Sequence, residues 1–108
     1  MAKLSPQQVF ELLGSRADVQ LIDVREPDEH AAGRIAGARL IPLGTLTAAA
    51  DSLRRDAPLV FVCRSGARSA MATDAFAGAG YEAFNLDGGL QAWASAGLPL
   101  EPENGHVA

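Results

Sequence analysis

The run Leu59-Val60-Phe61-Val62 constrains this chain more than any other feature, because four consecutive apolar residues leave no polar face for water. Such a run fits a central strand of a parallel sheet covered by helices on both sides. Short aliphatic runs and helical patterns alternate around it. Ser5-Pro6-Gln7-Gln8 reads as a helix start, with Ser5 as N-cap, Pro6 at the first helical position and Gln8 placed to reach back in a capping box. Val9, Leu12 and Leu13 then share one face, and Gly14 stops the turn. Val19 to Val24 reads as a strand, and Arg25-Glu26-Pro27-Asp28 leads into a short helix begun by Pro27.

Gly33, Gly37 and Pro42 punctuate the next stretch, within which Ala38 to Ile41 can form a short strand. Thr47 is placed to cap an alanine-rich helix reaching about Leu53. Beyond the central strand, Met71, Ala72, Ala75, Phe76 and Ala79 fall on one helical face that Gly78 and Gly80 end. Ala83 to Leu86 reads as another strand, and Asp87-Gly88-Gly89 turns into a helix carrying Leu90, Trp93 and Ala94, ended by Gly97 and Pro99. This alternation predicts an α/β fold with a parallel sheet. A chain of 108 residues suits one domain, over 1–100, with residues 101–108 as a flexible polar tail.

Composition narrows the functional classes. The net charge of −4 argues against a grip on phosphate backbones, so nucleic acid is not an expected partner. No stretch is long and apolar enough to cross a bilayer, and the first residues lack a secretory h-region, which makes a cytoplasmic location the expectation. The one cysteine allows no internal disulfide and no cysteine-rich metal site.

That cysteine, Cys63, stands at the carboxyl end of the central strand in the loop Cys63-Arg64-Ser65-Gly66-Ala67-Arg68-Ser69. Open α/β sheets bind ligands beyond the carboxyl ends of their strands. Gly66 and the small residues Ser65, Ala67 and Ser69 let the backbone curl so that its N–H groups converge at a helix amino terminus, a cradle for an anion. The same field favours the thiolate, helped by Arg64 and Arg68, and Arg68 can give two parallel hydrogen bonds to an oxyanion. A free cysteine ending an apolar strand is ordinarily a small buried hydrophobe. The residues that follow it reverse that default.

Other polar and glycine positions have simpler explanations. Asp23 and Arg25 at a strand end read as a turn-fixing pair. His30, on a short polar helix, and His106, in the tail, read as solvated. Trp93 reads as core packing, and Gly88 and Gly89 as a tight turn.

The chain resembles the single-domain rhodanese family of sulfurtransferases from about Leu4 to Pro99. The resemblance rests on Leu21-Ile22-Asp23-Val24-Arg25, Glu29 followed by Gly33 to Ala38, the Cys63 loop, and Asp87-Gly88-Gly89 through Trp93 to Pro99. Arg34 and Ala36 depart from it, since many relatives carry histidine and proline there. The resemblance implies a three-layer fold with a central five-stranded parallel sheet flanked by helices. It implies that Cys63 forms a persulfide, that Arg68 and Arg64 contact the substrate anion, and that the N–H groups from Arg64 to Ser69 form the cradle. No metal or organic cofactor is implied.

The implied partners are a thiosulfate-like donor and an external cyanide or thiol acceptor, because no second cysteine can take the sulfur. A persulfide relay between proteins uses the same residue. Related phosphatases and arsenate reductases have a loop one residue longer, so the four residues between Cys63 and Arg68 favour sulfur as the atom attacked. Inactive regulatory relatives lack the nucleophile.

Overall fold

The computed structural model describes residues 2–108. Five strands, all parallel, form one sheet in the order β1-β5-β4-β2-β3: β1 Lys3–Leu4, β2 Gln20–Asp23, β3 Arg39–Leu40, β4 Leu59–Val62 and β5 Ala83–Leu86. The five-stranded parallel sheet expected from the resemblance is therefore present. The helices are α1 Pro6–Ser15, α2 Pro27–Ala32, α3 Leu46–Ala49, α4 Ala67–Gly78 and α5 Gly89–Ser95.

β4 takes the centre because every one of its side chains is buried. Leu59 and Phe61 face a core shared with Ile22, Leu46, Ala72 and Phe76, while Val60 and Val62 face a second core with Val9, Leu21, Leu90 and Trp93. Period-two alternation thus feeds two cores from one strand. α3 and α4 cover the first face; α1 and α5 cover the second. Phe61 and Phe76 pack at 5.1 Å between ring centroids, and Trp93 donates its indole N–H to Pro99 O at 2.8 Å. The expected core role of Trp93 holds.

Local signals hold where the deciding groups are neighbours in sequence. Ser5 and Gln8 form the reciprocal capping box, with Gln8 N–H to Ser5 Oγ at 3.1 Å and Ser5 N–H to Gln8 Oε1 at 2.9 Å. Pro27 opens α2 as expected, and the helix is closed at its start by Glu29, whose Oε1 accepts from Glu26 N–H at 3.0 Å.

Three expectations are corrected. Thr47 lies inside α3, and the helix is only four residues long, flanked by 3₁₀ turns at Leu43–Thr45 and Ala50–Ser52. The buried stripe of α4 is Ser69, Ala72, Thr73 and Phe76, whereas Met71 is 66 % exposed. This rotates the helix so that Ser69 points inward beside Cys63. His30 is not solvated: its Nδ1 lies 2.9 Å from Oδ2 of the buried Asp23, and its side chain is 18 % exposed. The expected turn-fixing role of Asp23 and Arg25 holds: Asp23 binds Arg25 through Nε and Nη2, and Arg25 Nη2 reaches Gly33 O at 2.7 Å, which fixes the loop after β2.

Residues 101–108 touch the rest of the domain at several points. Arg34 and Glu101 exchange backbone hydrogen bonds of 2.9 and 2.7 Å, His106 N–H reaches Ala32 O at 3.0 Å, and Val107 packs on the second core.

Candidate active site

Cys63 follows β4 directly, and its side chain is buried against the α4 face of the sheet. Gly66 has φ +102°, a left-handed conformation that turns the chain from the strand into α4 and aims its own N–H back at the sulfur. Sγ accepts from Gly66 N–H at 3.0 Å, from Ser69 N–H at 3.4 Å and from Ser69 Oγ–H at 3.3 Å. The loop therefore presents donors and the amino end of a twelve-residue helix to one sulfur atom.

The loop's carbonyls are held from the other side by α5. Leu90 N–H donates to Cys63 O at 2.8 Å and Gln91 N–H to Arg64 O at 2.9 Å. Pointing the carbonyls at one helix frees the N–H groups for the other. Gly89 sits between, at φ +64°, so close that a Cβ there would fall 2.5 Å from Arg64 O and 2.6 Å from Cys63 O. A tight turn is reason enough for a glycine at position 89 in the sequence, yet its lack of a side chain is what lets α5 meet the reactive loop.

Burial opposes ionisation of the Cys63 thiol, but hydrogen bonds from the Ser69 hydroxyl and from the N–H groups of Ser69, Gly66 and Arg68 outweigh it, so its pKa lies below the ordinary thiol value. Ser69 is the largest of these contributors. Its hydroxyl has one hydrogen and two acceptors, since Oγ is also 2.5 Å from Asn85 Oδ1. Asn85, buried near the end of β5, is turned by its own amide, whose Nδ2 donates to Gly66 O at 3.3 Å. Asn85 escaped the sequence reading because nothing near it in sequence marks a site; only the adjacency of β5 and β4 brings it to Gly66 and Ser69.

Ser69→Ala removes one donor from the thiolate while leaving the backbone donors in place. The pH at which Cys63 reacts with iodoacetamide is expected to move upward, because the thiolate fraction rises with pH through the pKa and that pKa increases. An unchanged or lower midpoint in the variant overturns this role for the hydroxyl.

The two arginines of the loop lie differently from each other. Arg68 is bidentate to Glu29, Nη1 to Oε1 and Nη2 to Oε2, both at 2.9 Å. The Arg68 guanidinium holds the Glu29 carboxyl at about 2, far below its ordinary range, despite partial burial that opposes this. Arg64 is exposed, with Nε donating to Ala108 O at 3.0 Å and its Nη atoms within 3.2 Å of the Gln91 amide oxygen once that amide faces it. Ser65 and Ala67 are exposed on the loop's outer side. The histidines are not among the sulfur's hydrogen-bond partners.

A cradle of this build can stabilise a sulfur anion and present it to a small electrophile. The family profile described as Rhodanese-like domain matches residues 5–96. A sulfurtransferase of Allochromatium vinosum is 35 % identical over 104 residues, which span 95 % of this chain and 97 % of that protein. A thiosulfate sulfurtransferase, GlpE, of Pseudomonas aeruginosa is 36 % identical over 109 aligned positions, spanning 97 % and 94 %. Among solved structures, a rhodanese-related protein from Thermoplasma volcanium superposes with a TM-score of 0.85 at 29 % identity, covering 93 % of this chain and 97 % of that one. Among the described residues, no helix is long and apolar enough to cross a membrane.

Proposed function

The chain belongs to the rhodanese-like domain family, and from that premise we propose that it transfers sulfane sulfur from thiosulfate or a similar donor to a thiol or cyanide through a persulfide on Cys63. The observation that carries the reading is the convergence of Gly66 N–H, Ser69 N–H and Ser69 Oγ–H on Cys63 Sγ at the amino end of α4. These donors favour a thiolate before transfer and a persulfide anion after it.

In the first half-reaction, the thiolate attacks the outer sulfur of the donor. An Sγ–S bond forms, the donor's S–S bond breaks, and sulfite leaves with the electron pair. In the second, cyanide or a thiolate attacks the outer sulfur of the persulfide, giving thiocyanate or a new persulfide and returning the Cys63 thiolate. The single cysteine means that the acceptor comes from outside the chain. Arg68, Arg64 and the loop N–H groups of Ser65, Gly66, Ala67 and Ser69 are the contacts proposed for the donor.

Intact-mass spectrometry after incubation with thiosulfate tests this. The chain is expected to gain one sulfur atom, localised to Cys63 by peptide mapping and removed by cyanide. No mass gain with thiosulfate or with other sulfane donors overturns the reading.

A relay between proteins is the second reading. It is favoured by the engagement of both loop arginines with groups of the chain itself, which leaves less free positive charge for a small dianion. Faster transfer from a persulfidated protein than from thiosulfate supports it.

A further inference from the structure

We propose that Glu29 is a specificity-determining residue that turns the site toward singly charged sulfane donors, thiosulfonates and organic persulfides, and away from the thiosulfate dianion. This rests on the persulfide reading of Cys63. Arg68 is the loop cation with a bidentate fork, and both arms of that fork are already closed on the Glu29 carboxylate. The pair carries no net charge. Arg64, the other loop cation, is turned to Ala108 O and Gln91.

A dianion that recruits Arg68 must therefore draw it from Glu29. That leaves a carboxylate, only 17 % exposed, without its partner and near a doubly negative ligand. A donor with one charge meets half of that repulsion. It can be held by the loop N–H groups, which are independent of the Arg68–Glu29 pair.

Glu29 also closes the start of α2, accepting from Glu26 N–H at 3.0 Å. Glutamine serves equally as the acceptor in a capping box. Glu29→Gln thus removes the charge and keeps the cap, which separates electrostatics from folding.

The probes are thiosulfate and methanethiosulfonate, which differ by one charge and deliver sulfur by the same step. Cys63 thiolate bonds to the sulfane sulfur, the donor's S–S bond breaks, and the electron pair leaves as sulfite or as methanesulfinate. No oxidant is consumed.

For Glu29→Gln, kcat/KM with thiosulfate is expected to rise at least about tenfold relative to kcat/KM with methanethiosulfonate, equivalent to about 1.4 kcal/mol of removed charge repulsion. Glu29→Ala, which removes charge and cap together, is expected to shift the same ratio in the same direction. Glu29→Asp, which keeps the charge, is expected to stay near the parent ratio. A purely structural role for Glu29 would change both donors alike.

A donor ratio in Glu29→Gln and Glu29→Ala that stays within about twofold of the parent overturns the proposal. If methanethiosulfonate loads Cys63 in the parent while the ratio does not move, only the role of Glu29 is lost. If neither donor loads Cys63 in any of these chains, the persulfide reading falls and takes this one with it.

Discussion

Cys63→Ser is expected to take up no sulfur from any donor and to lose thiosulfate:cyanide turnover by at least about a thousandfold, as removal of a covalent nucleophile does elsewhere. A serine hydroxyl is not ionised near neutral pH and does not form a stable bond to a sulfane sulfur. The helix terminus and N–H groups that favour a thiolate cannot supply the missing atom. The fold is expected to persist, because serine Oγ can still accept from Gly66 N–H, which reaches Sγ at 3.0 Å in the parent. Sulfite release and intact mass read the loss, and circular dichroism reads the fold. Turnover close to the parent in a folded Cys63→Ser chain overturns the covalent mechanism.

Gly89→Ala is expected to have the second-largest effect, through backbone rather than chemistry. The residue sits at φ +64°, where a Cβ is strained, and that Cβ would also meet the carbonyl oxygens of Arg64 and Cys63 at 2.5 and 2.6 Å. Neither oxygen can swing away as a flexible side chain would. Both are tied to α5 by the hydrogen bonds from Leu90 and Gln91, so relief requires the reactive loop to move. Stability is expected to fall by at least about 2 kcal/mol, or roughly 10 °C in Tm for a domain of this size. Activity of the folded fraction is expected to fall at least about tenfold, because displaced donors no longer converge on Sγ. Gly14→Ala is the control: nothing lies within 4 Å of a Cβ there, and it sits inside α1, so alanine is expected to be neutral or mildly stabilising. Equal behaviour of the two variants overturns the argument for Gly89.

These two residues show what was legible in the sequence and what was not. Cys63 was readable because its neighbours in the chain are also its neighbours in space: strand, glycine turn and helix start follow one another. The same holds for the Ser5 capping box and for Pro27. Gly89, Asn85 and Glu29 were not assigned their contacts, because those depend on which strands lie side by side. Glu29 and Arg68 are 39 positions apart, and Ser69 and Asn85 are 16 apart. β1 was missed since two residues carry too little pattern, and it exists only by pairing with β5. His30 looked solvated because α2 is polar, while the carboxylate it meets belongs to β2. The rotation of α4 is not legible in the sequence because alanines at 75 and 79 suit either face, and Phe76 with Ser69 decides it.

The sheet ends in strands of two residues on both sides, Lys3–Leu4 and Arg39–Leu40. Strand borders this brief give a passing chain almost no row of free amides and carbonyls to zip onto, so the molecule is guarded against edge-to-edge stacking at high concentration. The same brevity closes one common route by which proteins hold each other, the addition of a guest strand. A macromolecular sulfur acceptor would have to meet this protein end-on, over the rim where β4 gives way to α4, and its hold would be only as wide as those loops.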